Sequence, residues 1–244
     1  MRVIVVRHHS VDDPGFIGDA FRARGAQLAV HQFPKEGPLP PLAGVDHIVV
    51  LGAVWSLYEE RISSWIGDEL EWLRAAGAAG IPVLGICFGA QALAAAFGGK
   101  VEHAGRSEVG WTTIETLDPD LIDAGPWMEF HHDRCLLPPG ARLLARNELC
   151  VQAFSIGPHL GVQFHPEVDG AQLSRWLADG GKAEAEEAGQ DPDKLMAQTQ
   201  AEEAQAALRA DRLVGAAVRL ASGRDLFRTS DGGRTWSKIV RRLS

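Results

Sequence analysis

The amino-acid sequence predicts an α/β fold of three layers, with a mostly parallel central sheet flanked by helices. Three observations predict it. Val3-Ile4-Val5-Val6 and Ile48-Val49-Val50-Leu51 are unbroken apolar runs, as expected of strands buried on both faces. Segments with apolar residues at helical spacing alternate with them, the order that builds a parallel sheet with helices on both sides. The chain has 244 residues, 45% of them hydrophobic and 23% charged, which is enough for one large α/β domain or an ordinary domain with an appendix.

The elements follow in order. Val3–Val6 is the first strand. Phe16, Ile17, Ala20 and Phe21 recur at helical spacing, and Gly25 stops that helix. Residues 26–31 form a second strand, and the Pro-rich piece 33–41 is a loop. Residues 46–51 form a third strand closed by Gly52. Ile62, Trp65, Ile66, Leu70 and Leu73 make the apolar stripe of the next helix, and residues 81–86 are a fourth buried strand. Beyond that point the texture changes. Short strands at 108–116, 143–145, 150–155 and 160–164, joined by Pro- and Gly-rich turns, predict a smaller antiparallel part. Residues 180–190 read as a linker. Asp191-Pro192 then caps a helix whose basic end carries Arg209, Arg212 and Arg219, with Leu213, Val214, Ala217 and Val218 on one face. Near the C-terminus, Asp231-Gly232-Gly233 predicts a hairpin turn within a stretch resembling one Asp-box of a sialidase-type propeller, and a single copy cannot build such a fold.

Charge and cysteine content narrow the function. The formal net charge is −8, which argues against nucleic acid as a partner. Three cysteines cannot all pair internally, so a reduced, cytoplasmic protein is expected, in which a special cysteine is chemical rather than structural. The N-terminal apolar run is too short for a signal-peptide core. Residues 75–99 are uncharged and long enough to span a bilayer. Pro82, Gln91 and six glycines make them a strand, a turn and a buried helix instead, and no membrane partner is expected.

Gly85-Ile86-Cys87-Phe88-Gly89 follows a buried strand and opens an Ala-rich helix. Small residues two places either side of the cysteine permit a sharp strand-to-helix turn, the mechanics of a nucleophile elbow. The helix N-terminus lowers the pKa of a thiol placed there, and it leaves the Phe88 N–H free for an oxyanion. A buried, inert cysteine between two glycines satisfies the same residues. A thiol nucleophile needs a base, and the base an orienter. His165, fed by a strand and followed by Pro166, stands two residues from Glu167, so both side chains project to one side of an extended segment.

Gly85-Ile-Cys-Phe-Gly-Ala-Gln91 and Gln163-Phe-His-Pro-Glu167 together resemble class I glutamine amidotransferases, which share a flavodoxin-like α/β fold. Leu51-Gly52-Ala53-Val54-Trp55-Ser56-Leu57-Tyr58-Glu59 is similar to the loop after the third strand in the GMP-synthase-like subgroup, with Gly-Ala where the family has Gly-Gly. Glu108-Val109-Gly110-Trp111 and residues 127–133 add two further matches, the latter one residue longer than the subgroup's and with His132 in place of a glycine.

The resemblance implies a catalytic triad of Cys87, His165 and Glu167, and an oxyanion hole from the N–H groups of Ala53 and Phe88. It also implies substrate contacts from Gly52, Trp55, Gln91, Phe130, His131, His132 and Asp133. No metal or organic cofactor is needed for that chemistry. The resemblance covers roughly residues 1–180 and so implies a glutaminase domain there; the residues beyond read by themselves as a C-terminal helical extension over 181–222 and a tail over 223–244 with a candidate hairpin. The substrate is then L-glutamine or another γ-glutamyl compound. No Gly-x-x-x-x-Gly-Lys-Ser/Thr is present, so released ammonia would pass to a separate synthase. Two alternatives stay open. A freestanding hydrolase of γ-glutamyl amides or peptides would be fast alone. A silent binding scaffold would form no thioester.

Overall fold

In the computed structural model, which describes residues 1–222, 226–228 and 237–239, the centre is an eight-stranded sheet. The strands are β1 (Arg2–Arg7), β2 (Gln27–Gln32), β3 (His47–Val50), β4 (Val83–Ile86), β6 (Glu115–Thr116), β8 (Arg142–Arg146), β9 (Val151–Ile156) and β10 (His159–Val162). Their order is β2-β1-β3-β4-β10-β9-β8-β6. The first five are parallel, and β9, β8 and β6 continue the sheet antiparallel. An antiparallel ribbon of β5 (Lys100–Thr112) and β7 (Trp127–Leu136) stands apart.

The unbroken runs arise because each strand feeds two cores. Val3 and Val5 pack on one face, and Ile4 and Val6 on the other. The first face receives Ile17 and Phe21 of α1 (Gly15–Ala23) and Leu213, Val214 and Ala217 of α6 (Pro192–Ala221). The second receives Leu73 and Ala76 of α2 (Ile66–Ala78) and the apolar residues of α3 (Phe88–Ala96). The long C-terminal helix therefore forms part of one outer layer. It begins as the sequence indicates, with Asp191 accepting the N–H groups of Asp193 and Lys194 and proline in its first turn.

Three readings need correction. Residues 108–116 are not one strand: β5 starts earlier and ends at Thr112, and β6 belongs to the main sheet. Residues 127–136 form a long strand that the sequence did not announce. The linker read over 180–190 is built: after α4 (Gly170–Trp176) the chain kinks at Asp179 and Gly180, whose φ is 109°, and leads into α5 (Lys182–Glu187), which buries Ala185. Near the C-terminus β11 (Leu226–Arg228) pairs antiparallel with β12 (Ser237–Ile239), and the Asp-Gly-Gly turn lies outside the described residues. Among the described residues no helix is long and apolar enough to cross a membrane.

The buried histidines set a pH dependence. Burial pushes His47 down to about 4, and burial with the neighbouring His47 pushes His159 down to about 3. Below the ordinary value of 6.5 the unfolded chain takes up protons that these two folded sites refuse. Stability is thus expected to fall as pH drops from about 6.5 towards 4, by up to about 1.4 kcal/mol per pH unit for each group. His131 acts oppositely. Its folded pKa is raised to about 10, so its contribution is complete below 6.5 and is lost as pH climbs towards 10. Denaturant midpoints measured from pH 4 to 10 should trace a dome, and a curve flat on the acid side would contradict the His47 and His159 account.

Candidate active site

The last residues of β4 and the first of α3 meet in a bend at Cys87, which has φ 51° and ψ −110°. A non-glycine residue in that conformation costs on the order of 1–3 kcal/mol and persists only where its surroundings enforce it. They do so here. The Cys87 N–H donates to the Val162 carbonyl at 2.8 Å, and its own carbonyl accepts from Gln91 at 3.0 Å. The thiol therefore sits at the C-terminal edge of the parallel strands, where open α/β sheets place their ligands.

His165 follows β10, the neighbour of β4, and its N–H donates to the Met128 carbonyl of β7 at 2.7 Å. Its ring donates Nδ1–H to Glu167 Oε1 at 2.7 Å, and both side chains are almost fully buried. Burial would push the imidazole down. The Glu167 carboxylate and the Cys87 sulfur outweigh it, and His165 is held well above its ordinary range. Gly52 closes the third side. A Cβ there would lie 2.9 Å from His165 Cε1 and 3.6 Å from Cys87 Cβ, so the loop after β3 runs directly against both groups. Among the described residues no main-chain acceptor takes the N–H of Ala53 or of Phe88.

These groups open into one cavity of about 360 Å³. Cys87, His165, Ala53, Phe88, Gly52, Trp55, Gln91, Phe130, His131, His132 and Asp133 all line it, while Glu167 lies buried behind His165. The sequence-derived residues thus converge, but several polar groups are already engaged. Gln91 Nε2 donates to Gln163 Oε1 at 3.1 Å, and Asp133 accepts from Tyr58 Oη at 2.7 Å. Both ring nitrogens of His131 point inward: Nδ1–H donates to the Asp133 carbonyl, and Nε2–H lies between Glu108 and Glu129 at 3.2 and 3.1 Å. Burial opposes its protonation, but those two carboxylates prevail.

Glu108, His131 and Cys150 bring three possible metal ligand atoms within 4.8 Å of one another. Each already has a protein partner: Asn147, Gln152 and His131 take the Glu108 carboxylate, and the Cys150 thiol points to Glu108 at 3.8 Å. Hydrogen bonding accounts for this cluster, which braces β5 and β7 behind the cavity.

Sequence reasoning missed part of the wall. Trp176 of α4 sets its ring edge-on to His165, with centroids 4.8 Å apart, and donates Nε1–H to Asp12 Oδ1 at 3.1 Å. Asp12, Asp179 and Glu184 also line the cavity. Burial raises the Asp12 carboxyl, and nearby Glu167 adds to the rise. Asp179 and Glu184 fall in an acid-and-glycine stretch after Trp176 that reads as a linker, and Asp12 and Trp176 carry no signal of their own.

Residues 16–180 match the family model described as glutamine amidotransferase class-I, more than half of the chain. The chain belongs to that family. This amidotransferase is 40% identical over 132 residues to a glutamine-hydrolysing GMP synthase of Thermomicrobium roseum, covering 50% of the chain and 23% of that relative. It is 43% identical over 113 residues to one subunit of the glutamine-hydrolysing GMP synthase of Thermococcus kodakarensis, covering 41% of the chain and 60% of that relative. In both cases the match spans less than two thirds of the relative's length. Among solved structures, a glutamine amidotransferase of Thermotoga maritima superposes with TM-score 0.81 at 28% identity, covering 91% of this chain and 99% of that one. One from Methylobacillus flagellatus, at 22% identity and TM-score 0.81, shares the fold. The α/β class read from the sequence is thereby shown.

Proposed function

We propose that the chain hydrolyses the side-chain amide of glutamine through a cysteinyl thioester and releases ammonia for a separate synthase. The observation that carries this reading is the convergence of Cys87 and a Glu167-oriented His165 on one cavity beneath Gly52. The Cys87 thiolate attacks the amide carbon. The N–H groups of Ala53 and Phe88 hold the negative oxygen that forms. His165, protonated after taking the thiol proton, returns it to the departing ammonia. It then draws a proton from water, which cleaves the glutamyl thioester and frees Cys87. Gln91 and the 130–133 strand segment recognise the amino-acid end of the substrate. A synthase as a second chain is supported by the relative named as a GMP synthase subunit.

A second reading has one observation in its favour. The cavity of about 360 Å³ is lined not only by the triad and its neighbours but also by Gly180, Gly181 and Glu184, wall that a group attached to the γ-amide nitrogen would need. A freestanding hydrolase of γ-glutamyl amides would use the same triad there.

Acid quenching during turnover, followed by mass spectrometry, tests both readings. A glutamyl adduct on Cys87 is expected with L-glutamine, together with ammonia in solution. Stronger turnover of γ-glutamyl amides than of glutamine, without any partner, would favour the second reading. Absence of an adduct with every amide, with and without cell extract, would refute both and leave a binding scaffold.

A further inference from the structure

One hydrogen bond does not fix an imidazole. The torsion about the Cβ–Cγ bond of histidine is broad, so the Glu167 contact at Nδ1 leaves the His165 ring a range of tilts. Proton exchange with Cys87 tolerates little of that range, because geometry at the reacting atoms governs such a step. A second contact limits the tilt. Trp176 of α4 stands nearly perpendicular to the His165 ring, at 75° with 4.8 Å between centroids. The same indole meets Phe130 of β7 edge-on at 5.8 Å, so it packs on both the base and β7.

The indole is itself held. Its Nε1–H donates to Asp12 Oδ1 at 3.1 Å, and the second carboxylate oxygen of Asp12 accepts the His9 N–H at 3.3 Å. Both oxygens therefore have protein donors, although Asp12 lines the cavity. The loop between β1 and α1 that carries Asp12 is anchored in turn. The Val11 carbonyl accepts from Gln172 Nε2 at 3.0 Å and from Arg175 Nε at 3.2 Å, both in α4. Where the loop enters α1, the Phe16 N–H donates to the Glu167 carbonyl at 3.1 Å. Gly15, at φ 42°, passes so close that a Cβ there would lie 2.0 Å from that carbonyl oxygen. One loop thus grips the residue that orients His165 and the residue that packs on its ring.

We propose that Trp176, tethered through its N–H to Asp12, is a positioning residue that holds the His165 imidazole in the tilt needed to exchange a proton with Cys87. The proposal rests on His165 acting as the partner base of Cys87. Asp12 has no contact with the reacting atoms in this account and acts only through the indole. Glu167 sets which nitrogen of His165 carries the proton, and Trp176 sets where the other nitrogen points.

Four single variants and one double test the idea. Trp176→Phe keeps a ring and loses the tether, and Trp176→Leu loses both. Asp12→Ala removes the acceptor, whereas Asp12→Asn removes the charge and keeps an oxygen acceptor. The double combines Trp176→Phe with Asp12→Ala. The readouts are kcat and KM for the amide turned over by the wild type, and the rate of Cys87 alkylation by iodoacetamide at neutral pH, which depends on the imidazole beside the sulfur but on no amide. Trp176→Phe and Asp12→Ala are each expected to lower kcat by about 3- to 10-fold and Trp176→Leu by about 10- to 100-fold, with KM within about twofold and alkylation slowed in the same order. Asp12→Asn should keep most of the rate. The double variant should be no slower than Trp176→Phe alone, because both changes cut one tether.

Additive losses in the double variant overturn the proposal. Asp12→Asn as slow as Asp12→Ala overturns it too, since charge rather than the tether would then be at work. So does a raised KM at unchanged kcat, which marks a wall that only touches substrate. Should Trp176→Leu not fold, the phenylalanine, alanine and double variants decide alone. If the wild type forms no glutamyl adduct on Cys87 but the alkylation order holds, the enzymatic reading fails and the placement of His165 stands. If the adduct forms and neither kcat nor alkylation moves, only this proposal fails. With no adduct and no such order, both fail.

Discussion

Cys87→Ala is expected to abolish glutamyl adduct and ammonia release, and Glu167→Gln to lower kcat by about 10²- to 10⁴-fold with little change in KM. The two losses have different origins. Alanine removes the attacking atom but has the same backbone freedom as cysteine at φ 51°, so the bend and the stability should persist. Glu167 lies outside the cavity wall and acts only through His165, whose Nδ1–H it accepts at 2.7 Å. A glutamine there offers either a neutral oxygen, which weakens the hold on the imidazolium, or an NH₂, which forces the ring into the tautomer unable to take the thiol proton. The sign of the accompanying pH effect also follows. The carboxylate is a leading cause of the raised His165 pKa, so its removal lets that pKa fall. His165 should then give up its proton at lower pH than in the wild type, which imidazole NMR shifts followed against pH would record. A Glu167→Gln enzyme within threefold of wild type would take Glu167 out of the proposed triad.

What the sequence discloses about this fold depends on how many faces of a segment are apolar. β1, β3 and β4 are buried on both faces, so their runs stand out without any alternation. β7 hides for the opposite reason. Its buried positions include Glu129, His131 and Asp133, so polar residues occupy the face that a period-two reading assigns to apolar ones. His131 and Asp133 line the cavity and Glu129 holds His131 from behind, so the demands of the site override the pattern. α5 hides because Ala185 is its only buried residue, which leaves no apolar stripe between Gly180-Gly181 and Gly189. The same logic divides the site. Cys87 sits in a local turn and His165-Pro166-Glu167 in a local strand end, so each announces its geometry within five residues. Asp12, Trp176 and Glu184 reach the cavity from the β1–α1 loop, α4 and α5, and nothing local in the sequence ties them to it.

The bend that presents Cys87 depends on a backbone contact, and Gly89→Ala should expose it. A Cβ at Gly89 would lie 2.2 Å from the Val50 carbonyl oxygen and 2.7 Å from its carbon. Neither side has room to yield. Val50 is in the central strand β3, where Leu51 next to it donates to Val6 at 2.9 Å, and α3 is tied through Cys87 to Val162. In a helix, glycine to alanine ordinarily gains up to about 1 kcal/mol. Overpacking against fixed main chain costs about 1–3 kcal/mol and occasionally more, so the clash prevails and a net loss of about 2 kcal/mol is expected. Gly67 in α2 supplies the contrast, since a Cβ there meets nothing within 4 Å and Gly67→Ala should be neutral or stabilising. Any folded Gly89→Ala protein must have moved α3 away from β3, carrying Cys87 with it. A displacement of about 1 Å between nucleophile and base can cost on the order of 10²-fold in rate. Denaturant midpoints for the two variants, with adduct formation on Cys87, separate these effects. A Gly89→Ala protein as stable and as fast as wild type would mean that the elbow does not owe its shape to the contact between α3 and β3.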